Sequence, residues 1–438
     1  MGYFIVLYEL YTISFTDDYH MLKKISFAYK EYPNAFKVLT LTTFIDMLGI
    51  YLLYPFYALY ITEHFDVGMT QVGILFSIFS AGNIFGGMIG GALADKYGRR
   101  MMVLIGLVAS GIGNISMGLV DNLNVFYIIA GFLGLIGNFG RPAREAMVAD
   151  LLPKEKQAEG YGILRVAFNL SATIGPLLGG FLATRAFILL FIADAISSII
   201  TAFIVYFVIP ETKPQKQDGE PEETVMKTLI GYKEVLKDWV YVLFLIVSAI
   251  TVLVYIQMNS TLSVFLRDVH GFSAQNYGYL LSMNALMVVL FQFWITKRIS
   301  KYAPMKMMAL GTFFYMIGFG LYGFISAVYL FFIAMVIITI GEMIVTPVSQ
   351  AAAASFAPED KRGRYMAVFG FQWAIPNLFG VIVAGLVIEH LGPNWVWYLA
   401  GILCMISMTG FWLLHNATKR RFSREIEPIT EELVIVYD

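Results

Sequence analysis

Long apolar stretches separated by short polar breaks dominate the chain. A membrane-spanning helix needs about 20 consecutive, mostly apolar residues, and the pattern predicts twelve of them, near 38–62, 71–94, 101–120, 124–148, 160–183, 187–209, 240–265, 275–297, 305–326, 328–354, 365–388 and 395–415. The breaks are short except for 210–239, which is rich in Pro, Gln, Glu and Lys and has the composition of a solvated connection. The expected organisation is an interfacial or cytoplasmic segment 1–37, a six-helix bundle 38–209, a cytoplasmic linker 210–239, a second six-helix bundle 240–416 and a cytoplasmic tail 417–438.

Composition narrows the class. Of the 438 residues 58% are hydrophobic and 14% charged, where soluble domains carry about 25% charged residues. The chain reads as an all-α integral membrane protein. A net charge of −1 excludes a nucleic-acid partner held by a basic surface. The single cysteine, Cys404, permits neither an internal disulfide nor a cysteine metal site, and no metal or cofactor is expected.

Charge placement sets the orientation. Basic residues of short loops stay on the cytoplasmic side. With twelve spans, 28 of the 30 Lys and Arg residues fall in or beside the loops of one side, and only Arg185 and Arg267 lie outside them. Both termini are therefore expected in the cytoplasm of a cell in whose membrane the protein lies.

The two bundles are related in sequence. Pro142 and Pro347, Pro153 and Pro358, Glu155 and Asp360, and Lys156 and Lys361 all share an offset of 205. Each repeat crosses an even number of times, so the pseudo-twofold axis runs along the membrane normal.

Two motifs carry a resemblance. The turn between the second and third helices holds Gly91, Asp95, Gly98, Arg99 and Arg100, and the fifth helix holds Gly175, Pro176, Gly179 and Gly180. The first is similar to the signature of the major facilitator superfamily, and the second to the fifth-helix motif of that family's drug and metabolite antiporters. The resemblance covers about 35–420 and implies two pseudo-twofold-related six-helix bundles. It also implies a cytoplasmic latch with the acid at the N-terminus of the eleventh helix and the bases bridging neighbours. One departure concerns the fourth helix, where Ala130–Leu135 carries no base. The nearest are Arg141 and Arg144, and part of the family shows the same Arg-Pro dipeptide as Arg141-Pro142.

Ionisable groups within spans cost about 2.5 kcal/mol or more and point to function. Asp46 and Arg141 both lie about 12 Å from the cytoplasmic face by helical rise, which makes a pair between them geometrically possible. Glu342 lies mid-way along the tenth helix without a base at its depth, and Asp194 lies in the sixth. These four are the candidate proton-coupling and substrate residues. Glu145 and Asp150, flanking Arg144, read as a local salt-bridge network. Tyr51, Tyr54, Gln257, Asn259, Asn284, Gln372, Trp373 and Asn377 are candidates for lining a cavity.

The expected function is that of a monomeric secondary transporter, a proton-coupled antiporter exporting amphipathic or cationic small molecules by rocking of one bundle against the other. A proton-coupled symporter importing a sugar, peptide or organic acid is the alternative. A channel or scramblase would share the twelve spans. The chain has no His-Glu-x-x-His, no complete nucleophile elbow and no P-loop, so an enzyme or ATP-driven pump is not expected.

Overall fold

A computed structural model describes residues 32–213, 234–358 and 361–423. The expectations for 1–31, 214–233, Glu359, Asp360 and 424–438 lie outside the described residues. Twelve long helical segments, and no strands, occur among the described residues. They are α1 Asn34–His64, α2 Met69–Tyr97, α3 Arg99–Leu119, α4 Leu123–Leu151, α5 Lys154–Ala183 and α6 Ile188–Val208. There follow α7, which runs as Trp239–Tyr255, a 3₁₀ turn Ile256–Asn259 and Thr261–His270, then α8 Ala274–Ile299, α9 Pro304–Tyr322, α10 Val328–Phe356, α11 Arg362–Leu391 and α12 Trp395–Ser423. Eleven are long and apolar enough to cross a membrane by themselves. The remaining one, α9, packs along α10 and α12.

The interruptions have local causes. In α1, Pro55 removes a backbone donor and the chain tightens to 3₁₀ over Tyr54–Phe56. In α7, Gln257 bridges the 3₁₀ turn by donating to Leu253 O (3.0 Å) and to Gly380 O of α11 (3.2 Å), while accepting from the Thr261 hydroxyl (2.6 Å). Broken helices persist in a bilayer only where such groups are re-satisfied. In α10, Pro347 leaves the Met343 carbonyl without its usual donor, and Gln292 of α8 supplies one at 3.0 Å.

Small residues bring the helices close. The Cβ that Gly86 lacks would sit 2.1 Å from Leu135 O of α4, and that of Gly106 2.8 Å from Gly137 O. In the last six helices Gly311 and Gly341 play the same part between α9 and α10. Such contacts replace the hydrophobic drive that is weak between helices in lipid.

Contacts between the first six and last six helices concentrate at the end away from the basic loops. There α2 meets α11 and α5 meets α8. Gly73 abuts the backbone of Ile382, Gly385 that of Thr70, and Gly180 that of Ala274 and Gln275. The Ser77 hydroxyl donates to Leu378 O. Glu389 of α11 accepts from Thr70 N at 3.1 Å and so caps the start of α2. Arg267 of α7 donates to Leu59 O (3.3 Å) and the Thr62 hydroxyl (3.0 Å) at the end of α1. The molecule is thus fastened at the far end, and its cavity lies on the basic-loop side of that fastening.

Candidate functional site

Between the two sets of helices lies a cavity of about 320 Å³, lined among others by Tyr51, Tyr54, Asn169, Tyr255, Asn259, Asn284 and Glu342. Four of these, Tyr51, Tyr54, Asn259 and Asn284, were expected from the sequence to line a cavity. Among the described residues Glu342 is the one acidic or basic side chain of the lining. Its neighbour Gly341 lets α10 press against α9, and the carboxylate projects toward α7 and α8. Tyr255 donates to one carboxylate oxygen at 2.9 Å and Asn284 to the other at 2.8 Å. Asn284 is itself held against the Thr339 hydroxyl, 2.9 Å away. Tyr255 is braced by the ring of Tyr315 (5.9 Å, 29°) and the edge of Trp373 (5.9 Å, 90°). Two neutral donors satisfy the carboxylate without neutralising it.

Tyr255 carries this arrangement, yet it sits in an apolar run and the sequence gives no reason to select it. The only hint is its position just before the polar string Gln257–Asn259. Other expected lining residues fall elsewhere. Gln257 is spent on the break in α7. Gln372 and Trp373 line a smaller chamber with Ser248, Thr251, Thr346 and Ser349. Asn377 donates to Trp373 O of its own helix at 2.8 Å and is half-buried.

The pair Asp46–Arg141 that shared depth allows is not formed. Asp46 pairs with Arg144 at 2.8 Å, both side chains being buried, whereas Arg141 is exposed and lies 3.5 Å from Glu145, one turn along. The reason is the turn at Asn138–Phe139: α4 restarts at Gly140, which rotates Arg144, and not Arg141, toward α1. Asp194 lies on α6 beside Gly49, whose missing Cβ would stand 2.6 Å from its carboxylate. Asn114 donates to Asp194, and Tyr57 donates to Asn114 at 3.0 Å. This network is closed off from the cavity: none of its members lines it.

The turn at Gly98 is built as a knot of charges within the first six helices. Arg99 pairs with Asp95 at 2.9 Å and with Asp150 at the end of α4 at 3.3 Å. Arg100 donates to Tyr206 O of α6. Glu211 caps α3 by accepting from Arg99 N at 2.7 Å. Gly98 has φ 109°, and a Cβ there would meet Glu211 at 2.4 Å, so both backbone and space demand glycine. The implied contact of Asp95 with the start of α11 is replaced by Asp95–Arg99, because the two sets of helices are joined at the other end. In the fifth-helix motif, Gly175 and Gly179 lie against Tyr51 and Leu52 of α1, while Gly180 and the Pro176 carbonyl meet α8.

Comparison with known proteins agrees with this architecture. A Na(+), Li(+), K(+)/H(+) antiporter of Planococcus maritimus is 24% identical over 423 residues, covering 89% of this chain and 98% of the relative. The multidrug resistance protein MdtH of Salmonella paratyphi B is 24% identical over 388 residues, covering 86% and 93%. Among solved structures, the nucleoside transporter NupG superposes with a TM-score of 0.78 at 14% identity, covering 87% of this chain and all of that one. The family model described as Major Facilitator Superfamily matches residues 39–375 and 271–436, and with that match over most of its length the chain belongs to the Major Facilitator Superfamily.

Proposed function

We propose that the protein is a proton-coupled antiporter that exports cationic or amphipathic small molecules, with the basic loops and both termini in the cytoplasm. The observation that carries this reading is Glu342, the single acidic or basic side chain of the cavity among the described residues, held by the neutral donors Tyr255 and Asn284. When Glu342 is ionised it attracts a cation into the cavity; when it is protonated the cation leaves. Proton and substrate then compete for one carboxylate, the minimal requirement for obligatory exchange. The far-end fastening makes the described state open toward the cytoplasm, and the charge knot at Asp95, Arg99 and Arg100 serves gating without touching substrate. The cation exchange and drug-resistance functions named for two relatives support the same class of cargo.

The test is antiport in everted vesicles that carry a pH-sensitive dye. Na⁺, Li⁺, K⁺ or ethidium is added after acidification of the lumen. At least one of them should discharge the proton gradient in the native protein, and Glu342→Gln should abolish that discharge. Discharge that survives Glu342→Gln, or accumulation of solute in the direction of proton flow, overturns the assignment.

A further inference from the structure

The smaller chamber lies inside the last six helices, between α7, α9, α10 and α11. Relative to Glu342 it is displaced toward the basic loops: Thr346 and Ser349 stand one and two turns further along α10, and Ser248 and Thr251 precede Tyr255 by similar steps on α7. Tyr255 walls both spaces. The volume is about 20 Å³, enough for one water-sized occupant, which needs roughly 10–15 Å³.

Its polar lining is unusual in composition. Ser248, Thr251, Thr346, Ser349 and Gln372 line it, with no acid and no base among the described residues; the Thr251 hydroxyl is shared with Ser407 (2.6 Å) and the Ser349 hydroxyl donates to Thr346 O (3.1 Å). Ser248 and Gln372 are 2% and 3% exposed, and their Oγ and Oε1 have no hydrogen-bond partner. Buried polar atoms left in this state cost free energy unless something fills the chamber and engages them. The remaining wall is made of Val252, Met308 and Val345 together with Tyr255, Tyr315 and Trp373, whose ring faces favour positive charge.

We propose that the chamber is a binding site for one dehydrated monovalent cation, separate from the cavity at Glu342. Hard cations take oxygen ligands, and rings of uncharged oxygens suffice for monovalent ones. A divalent ion would require carboxylates, and the lining has none. The absence of a countercharge in the wall makes the affinity weak. The site does not depend on what the cavity carries, so it stands or falls apart from the antiport assignment.

The test is thermal unfolding of the purified full chain in detergent, in NaCl, LiCl or KCl against choline chloride at equal ionic strength. At least one of the three ions should raise the midpoint by on the order of 2 °C at concentrations well above its dissociation constant. Ser248→Ala and Gln372→Leu should each remove the rise while melting as the native protein does in choline, and Ser248→Thr, which keeps the hydroxyl, should retain it. Equal midpoints in all four salts leave the chamber to water and overturn the proposal. A rise that persists in both variants, or that Glu342→Gln alone removes, places the ion elsewhere and overturns it as well. Failure of antiport in the vesicle assay bears on the reading of Glu342 and not on these midpoints.

Discussion

A methyl group added at Gly73 probes the conformational cycle without touching the cavity. Its Cβ would lie 2.5 Å from both N and Cα of Ile382 and 2.8 Å from Val381 C. All three are backbone atoms of α11, so no side chain can swing away, and the clash is relieved only by parting α2 from α11. Overpacking of this kind costs about 1–3 kcal/mol. Because the contact joins the two sets of helices, that cost falls on the far-end-closed state alone. A difference of this size moves a two-state ratio by about 5- to 150-fold. The measurement is a spin-label distance between Asp121→Cys, in the loop before α4, and Ser326→Cys, in the loop before α10. Cys404, fully buried and the only native cysteine, is replaced by Ala in the background. Gly73→Ala should transfer population to a longer distance. Gly106→Ala, which crowds Gly137 O within the first six helices, should lower the melting point and leave the distance unchanged. A distribution unaltered by Gly73→Ala, together with a melting point lowered as for Gly106→Ala, refutes the reasoning.

Asp46→Asn should be among the most destabilising single changes, by about 3–5 kcal/mol, since it leaves Arg144 buried without its partner; the double variant with Arg144→Met should regain most of the loss in melting temperature. Asp194→Asn keeps an oxygen for the Asn114 amide and replaces a buried carboxyl that no base among the described residues pairs with, so it should preserve antiport in the vesicle assay; loss of proton-coupled discharge would make Asp194 a coupling residue. At the basic end, the Lys361 ammonium, 3.1 Å away, holds the Glu234 carboxyl below the usual carboxylate range by hydrogen bonding and charge, with Arg364 adding to it. That stabilisation is present above the usual carboxylate pKa and is lost as pH falls through the depressed value in the folded state. Lys361→Met should therefore flatten the acid limb of the stability profile.

The spanning helices were legible because burying a bilayer's thickness demands length and apolarity, and both are properties of sequence alone. Glu342 was legible for the converse reason: a lone acid in an apolar run has few inexpensive explanations. Partner choice was not. Arg141 and Arg144 are three residues apart on a helix, and which of them meets Asp46 depends on the turn at Asn138–Phe139, whose rotation no periodicity encodes. Tyr255 was invisible because a tyrosine in an apolar span serves equally as packing or as a donor until its neighbour is known. Glycines at 73 and 385 could be read as close contacts, but not as contacts between the two repeats, since that depends on conformation.

The cavity and the far-end fastening share residues, and this sharing links binding to movement. Pro176 lines the cavity, and its carbonyl would stand 2.4 Å from a Cβ on Gly278 of α8. Its ring also deprives the Ala172 carbonyl of a donor, and Ala172 lines the cavity one turn below. On the other face of α5, Gly175 bears on Tyr51, another lining residue of α1. On the proposed reading, a cation drawn to Glu342 would press on the same α1, α5 and α8 surfaces that close the far end. Close-packed interfaces of this kind have no soft intermediate positions and switch between discrete arrangements. Charge at one carboxylate can thus bias a contact several turns away through the backbone of α5, with no further ionisable group along the way.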